Sequence, residues 1–185
     1  MPETTDLEQR VFRLFWSYRS PKDLSSLSED KIRELSGYSV RELYGNNFLR
    51  ARQILREIGA PSLPYLFAVL NDNSNHVYNI IRHIATKSKA ADAVARQAVG
   101  NLHSNATRPK SRTLIMETGK YSPRFLIHAL GDDSVTVYAD ELLRDLHRDE
   151  RYTNIVKQEL ERALNPDHTY KDLARERAKG ILETL

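Results

Sequence analysis

The sequence predicts an all-α fold built from stacked helix pairs. Apolar residues recur at the three- and four-residue spacing of one helix face along most of the chain. One 20-residue stretch returns at an offset of 60 residues. No segment shows the period-two alternation that calls for a half-buried strand.

The first helix is read from Leu7, Val11, Leu14, Phe15 and Tyr18, which share a face. Thr5 and Glu8 have capping-box spacing, at which a hydroxyl and a carboxylate satisfy free backbone N–H groups. Ser20-Pro21 ends the helix, because a proline ring crowds a helical residue before it. A second helix starts near Ser28, carries Ile32 and Leu35, and is expected to stop at Gly37. A third starts at Ser39 with Glu42 in the box position. It carries Leu43, Phe48, Ile54, Leu55 and Ile58, and Gly59 closes it. Gly45-Asn46-Asn47 is a candidate break inside it.

Beyond Gly59 the stripes become regular. Leu63, Leu66, Phe67 and Leu70 make one, and Val77, Ile80, Ile81 and Ile84 the next. Ala91, Val94, Ala95, Ala98 and Leu102 follow. A loop, HSNATRPKS, then precedes a weaker run at Leu114, Ile115 and Met116. Two more pairs are read from Phe125–Leu130 with Val135–Leu146, and from Ile155–Ala163 with Tyr170–Leu185. Helix starts near 61, 89, 121 and 150 set a unit of about 30 residues. A lone helix pair of that size cannot bury its apolar faces, so neighbours must stack.

The 60-residue repeat runs without a gap from Gly59 and Gly119 to Tyr78 and Tyr138. Eight of its twenty positions are identical: the glycine, Ser62/Ser122, Leu66/Leu126, Leu70/Leu130, Asp72/Asp132, Ser74/Ser134, Val77/Val137 and the tyrosine. The register Leu-x-x-x-Leu-x-Asp-x-Ser-x-x-Val resembles HEAT repeats, in the short variety found in phycobilin lyases and many bacterial proteins. The resemblance covers roughly residues 59–185. It implies an α-α superhelix of about four helix pairs over 59–185, with an N-terminal helical cap over 1–58, in one continuous domain. It implies right-handed winding, with the second helix of each pair lining a concave side. That family carries an arginine after the turn valine. Tyr78 and Tyr138 stand there instead, so a ladder of arginine–aspartate contacts between turns is not expected.

Composition removes several functions. Cysteine is absent, which excludes disulfides, zinc-thiolate sites and a thiol nucleophile. The acidic, polar start MPETTDLEQR is unlike a signal peptide. No apolar run reaches the roughly 18–20 residues of a membrane span. The chain reads as soluble and cytoplasmic, with no membrane partner. The net charge of +3 is uneven: residues 59–120 hold eight Lys/Arg against three Asp/Glu, and residues 121–185 hold ten against thirteen.

No convergent catalytic set emerges, so no catalytic residue, metal or cofactor is assigned. His76 and His83, two turns apart, are too distant to share a metal. Asp132 and Asp133 read as caps of the following helix. The leading function is a non-catalytic scaffold binding a protein or peptide on the concave face. Its candidate contacts are Tyr78, Asn79, Arg82 and His83 on one inner helix, and Tyr138, Asp140, Glu141 and Arg144 on another. Aromatic residues at such an edge suit binding hot spots. The alternative is nucleic-acid binding through Arg108, Lys110, Arg112 and Lys120, where clustered cations would neutralise phosphates. A lyase or glycosylase activity follows only from the family resemblance and ranks last. Phe12, Phe15, Trp16 and Tyr18 gather on the first helix as an end cap, with part of the cluster a candidate docking patch.

Overall fold

The computed structural model describes residues 6–71 and 73–185. Regular structure among them is all helical, with no strand. The helices are α1 (Asp6–Ser17), α2 (Pro21–Ser25), α3 (Glu29–Glu42), α4 (Phe48–Ile58), α5 (Leu63–Ala68), α6 (Asn75–Ala85), α7 (Ser88–Gly100), α8 (Arg108–Glu117), α9 (Pro123–Ala129), α10 (Thr136–Arg148), α11 (Thr153–Leu164) and α12 (Asp172–Leu182), with a 3-10 turn at Ala60–Ser62. None is long and apolar enough to cross a membrane.

Three local expectations change. Pro21 ends α1 but also opens α2, because its fixed φ suits the first helical position. Gly37 and Ser39 do not separate two helices; α3 runs through both. Gly37 faces the Tyr65 ring, where a Cβ would make ordinary van der Waals contact at 3.4 Å. The basic stretch read as a loop is helical from Arg108 onward, with Pro109 in the first turn. The expected break at Gly45-Asn46-Asn47 is present between α3 and α4, where the Asn47 side-chain amide donates to Glu42 Oε2 at 2.5 Å. The proposed cap at Thr5 lies outside the described residues.

The chain forms two compact units. The first holds Met1–Val69 and Ser74–Ile84; the second holds Leu70–Asn73 and Ala85–Leu185. The first unit thus takes in α1 to α5 and α6 as far as Ile84. Its core gathers Phe15, Leu35, Ile54, Leu55, Leu66, Ile80, Ile81 and Ile84, all fully buried. In the second unit, consecutive helices pack as pairs: α7 on α8, α9 on α10, α11 on α12. The first helices also pack in a row, α7 on α9 and α9 on α11, and α8 meets α10. Leu102, Leu114, Ile115 and Leu126 fill this unit's interior. Pairs of short helices with one apolar face each must stack in this way to hide it.

The 60-residue repeat is physical over its first half. The Ser62 hydroxyl donates to Leu55 O (3.3 Å) and Gly59 O (2.7 Å). Sixty residues on, the Ser122 hydroxyl donates to Ile115 O (2.9 Å) and Thr118 O (3.1 Å). Both serines are fully buried, so each repays the lost water with the same backward bond. Past the turn the register slips. Val77 is buried, but Val137 is 63% exposed. The buried set Val77, Ile80, Ile81, Ile84 corresponds to Ala139, Leu142, Leu143, Leu146, an offset of 62. Keeping the ungapped register would bury Asp140, Glu141 and Arg144 together, so the helix turns its next apolar face inward instead. Tyr78 and Tyr138 are therefore not equivalent positions.

The two aligned glycines serve different needs. Gly59 has φ 73° and ψ −132°, a conformation that side chains resist. Gly119 lies under the Tyr152 ring, where a Cβ would come within 2.4 Å of ring carbon. Gly119→Ala should destabilise by about 1–3 kcal/mol through overpacking, and Tyr152→Ala in the same chain should recover part of it. Gly59→Ala should cost a similar ~1–3 kcal/mol through backbone strain, with no rescue from Tyr152→Ala. Urea unfolding midpoints of the four variants check this pattern.

Candidate functional site

The first unit carries a cluster of rings between α1 and α3. Phe12, Phe15 and Trp16 fall on one side of α1, and Tyr38 faces them from α3. Ring centroids lie 5.1 Å apart for Phe15–Tyr38, 5.8 Å for Phe15–Trp16, 6.1 Å for Phe12–Trp16 and 6.5 Å for Phe12–Tyr38. The inner member, Phe15, is fully buried. Phe12 and Trp16 stay 50% and 41% exposed. Such tilted and edge-to-face contacts hold rings in fixed orientations.

Arg50 on α4 locks this cluster from below. Its Nε donates to Phe15 O (2.9 Å) and its Nη2 to Trp16 O and Tyr18 O (both 2.8 Å). Those carbonyls lie at the C-terminal end of α1, where helices leave acceptors unsatisfied. The same guanidinium stands 5.1 Å from the Trp16 ring and 5.6 Å from the Phe15 ring. Trp16 is thus presented to solvent on a fixed backbone.

Beside the rings runs a groove of 580 Å³. Phe12 and Tyr38 are its apolar walls, and Glu8, Arg13, Arg41 and Glu42 stand on its rim. Arg41 lies 5.5 Å over the Tyr38 ring. Burial raises the Tyr38 phenol above its usual range, and the nearby Glu42 carboxylate adds to the shift. The phenol therefore stays protonated as a hydrogen-bond donor at neutral pH. A second hollow of 520 Å³ continues past Tyr38 to Tyr65.

The predicted contacts lie elsewhere. On α6, Asn79, Arg82 and His83 are exposed and Tyr78 is half-buried. On α10, Arg144 donates to Asp140 Oδ1 (2.8 Å) and to Thr184 Oγ1 (2.9 Å). Glu141 accepts from Arg112 (2.8 Å), and the Tyr138 ring lies 3.8 Å under the Arg108 guanidinium. Arg108 Nε also donates to Leu102 O (2.7 Å). Arg112 reaches Asp145 as well, at 3.5 Å. The basic middle third is thus partly neutralised by the acidic last third inside one unit. Of the four cations named for nucleic acid, Lys110 is half-buried and Lys120 exposed, while Arg108 donates to Leu102 O and Arg112 to Glu141. Asp132 does not cap α10; its Oδ1 accepts from the backbone N–H and hydroxyl of Ser134, which lowers its pKa. Asp133 pairs with Arg177 at 2.6 Å. Among the described residues no three His, Asp or Glu side chains gather as a metal site requires.

Sequence reading placed Phe12 and Trp16 on α1 but could not tell which rings of that cluster face out. It missed Tyr38 and the lock by Arg50. Tyr38 sits beside Gly37, which had been read as a helix stop, and nothing local links Arg50 to α1. No family model, curated protein or solved structure matches the chain.

Arg177 donates to Leu130 O (2.6 Å), Thr136 Oγ1 (2.5 Å) and Asp133. Arg177→Ala should cost about 1–3 kcal/mol by removing its bonds to Leu130 O, Thr136 Oγ1 and Asp133 together, whereas Asp133→Ala, at an exposed acid, should cost under about 1 kcal/mol; chemical unfolding distinguishes them. His128 stacks on Tyr170 with centroids 4.3 Å apart. Burial, and then the Arg124 charge, lower its pKa from 6.5. The unfolded chain then binds the proton more readily, so this group's contribution is present above pH ~6.5 and lost as pH falls through that window. Melting temperatures between pH 7 and pH 5 should drop further for the wild type than for His128→Gln.

Proposed function

We propose that the chain is a non-catalytic interaction module that holds a protein segment on the α1–α3 face. Phe12 and Trp16 act as the anchors and the groove beside Tyr38 receives the partner's apolar side chains. The observation that carries this reading is the exposure of two large rings on a cluster whose inner side is buried and whose backbone Arg50 ties down. Binding hot spots are enriched in tryptophan, tyrosine and arginine, and binding hollows are lined mainly by apolar and aromatic side chains. The mode that fits is an apolar stripe laid into a groove between helices. The concave-face set on α6 and α10 has less support, because Tyr138, Asp140, Glu141 and Arg144 all engage neighbours within the fold. Nucleic-acid binding has less support for the same reason at Arg108 and Arg112.

The wider architecture in this reading is a HEAT-like superhelix of about four pairs with α1–α4 as its cap. Its support is the pairwise stacking of α7 to α12 and the recurrence of the buried serine bond at an offset of 60.

Peptides displayed as a random library and selected on the wild-type chain should include binders with apolar residues at helical spacing. Their affinity should fall at least about tenfold for the Phe12→Glu/Trp16→Glu chain. Trp16, the only tryptophan, should shift its emission to the blue on binding. Binders that tolerate both substitutions and leave Trp16 unaltered would remove this function.

A further inference from the structure

Resting on the reading above, we propose that the segment received by the α1–α3 face is the same face of a second copy of this chain. Two properties of the face point to that occupant. First, projection and hollow lie side by side: Phe12, half exposed, adjoins the 580 Å³ groove that it helps to line. A two-fold axis through such a face sets the projection of each copy into the hollow of the other, as isologous dimers require. Second, the rim carries two acids, Glu8 and Glu42, and two arginines, Arg13 and Arg41. A strongly acidic or basic partner would meet as many like charges as opposite ones. A second copy brings a mixed rim to a mixed rim, where rotation lets unlike charges face each other.

The acid and the base on α1 make the charges testable without knowing which pairs meet. Glu8→Arg turns the rim into three arginines and one acid; Arg13→Glu gives the reverse balance. Each variant alone repels its own copy. Mixed together, they attract.

Sedimentation over a concentration series is the experiment, with Trp16 emission followed in parallel. The wild type should pass from 21.3 kDa to twice that mass as concentration rises, with Trp16 moving to the blue over the same range. Phe12→Glu/Trp16→Glu should weaken pairing by at least about tenfold, while the far-ultraviolet circular dichroism spectrum stays helical, because both side chains are half exposed and the buried Phe15 beneath them is retained. Glu8→Arg and Arg13→Glu should each weaken pairing, and an equimolar mixture should restore it. A wild-type chain that remains at the monomer mass, or a dimer indifferent to these substitutions, overturns the proposal. A monomer whose Trp16 still answers to selected peptides means that a different protein takes the face; self-pairing then fails and the interaction function stands. A monomer whose Trp16 shifts only with anionic lipid vesicles overturns both.

Discussion

A helix ends with carbonyl oxygens that have no partner inside it, and this chain has many short helices and therefore many such ends. Arginines from distant elements satisfy them. Arg50 reaches the end of α1 from 32 to 35 residues away, and Arg177 reaches the end of α9 across 47 residues. Arg108 does the same locally at the end of α7, and Arg175 bonds Pro166 O and His168 O ahead of α12. A guanidinium suits this work because its several N–H groups lie in one rigid plane and its charge opposes the negative end of the helix dipole. Hydroxyls provide a second set: Thr107, Thr136 and Thr153 each donate to the carbonyl six residues back, at 2.7–3.0 Å. Packing of the apolar stripes chooses which helices meet. These bonds choose how their ends are joined.

That constraint reaches the candidate site through Arg50. An exposed tryptophan on a free helix end would lose much conformational freedom on binding. Here the three carbonyls around it are already held, and the neighbouring rings fix its plane. The ordering cost is met by folding, so contact with a partner retains more of its gain. Tyr38 joins the same surface from α3, its ring 5.1 Å from that of Phe15.

The same economy explains the charges. An excess of cations in the middle of a chain looks like a surface for phosphates. In the second unit Arg112 meets two carboxylates of the acidic last third, Glu141 and Asp145, while Asp92 of the middle third pairs with Arg124 of the last. Asp145 is shared further with Arg148. These pairs are half-exposed and individually weak. Their effect is to fix the mutual register of α8 and α10 and to reduce the field available to a distant anion.

The sequence by itself determined the helical class, the positions of most helices beyond Gly59 and the break at Gly45-Asn46-Asn47. These follow from apolar spacing and turn chemistry, which are local. It also held the serine repeat, since a buried hydroxyl that bonds seven residues back needs only nearby backbone. Tertiary structure decided the rest. Gly37 reads as a stop, yet α3 runs through it because α3 packs on both α1 and α4. Val137 and Tyr138 matched their counterparts in letters, yet α10 turned by two residues to keep three charged side chains out of the core. Arg108 and Arg112 were cations without partners on paper, and acquired them from a helix about 30 residues away. Which rings of α1 face water was settled by α3 and α4, because exposure is a property of what packs against a residue and not of the residue itself.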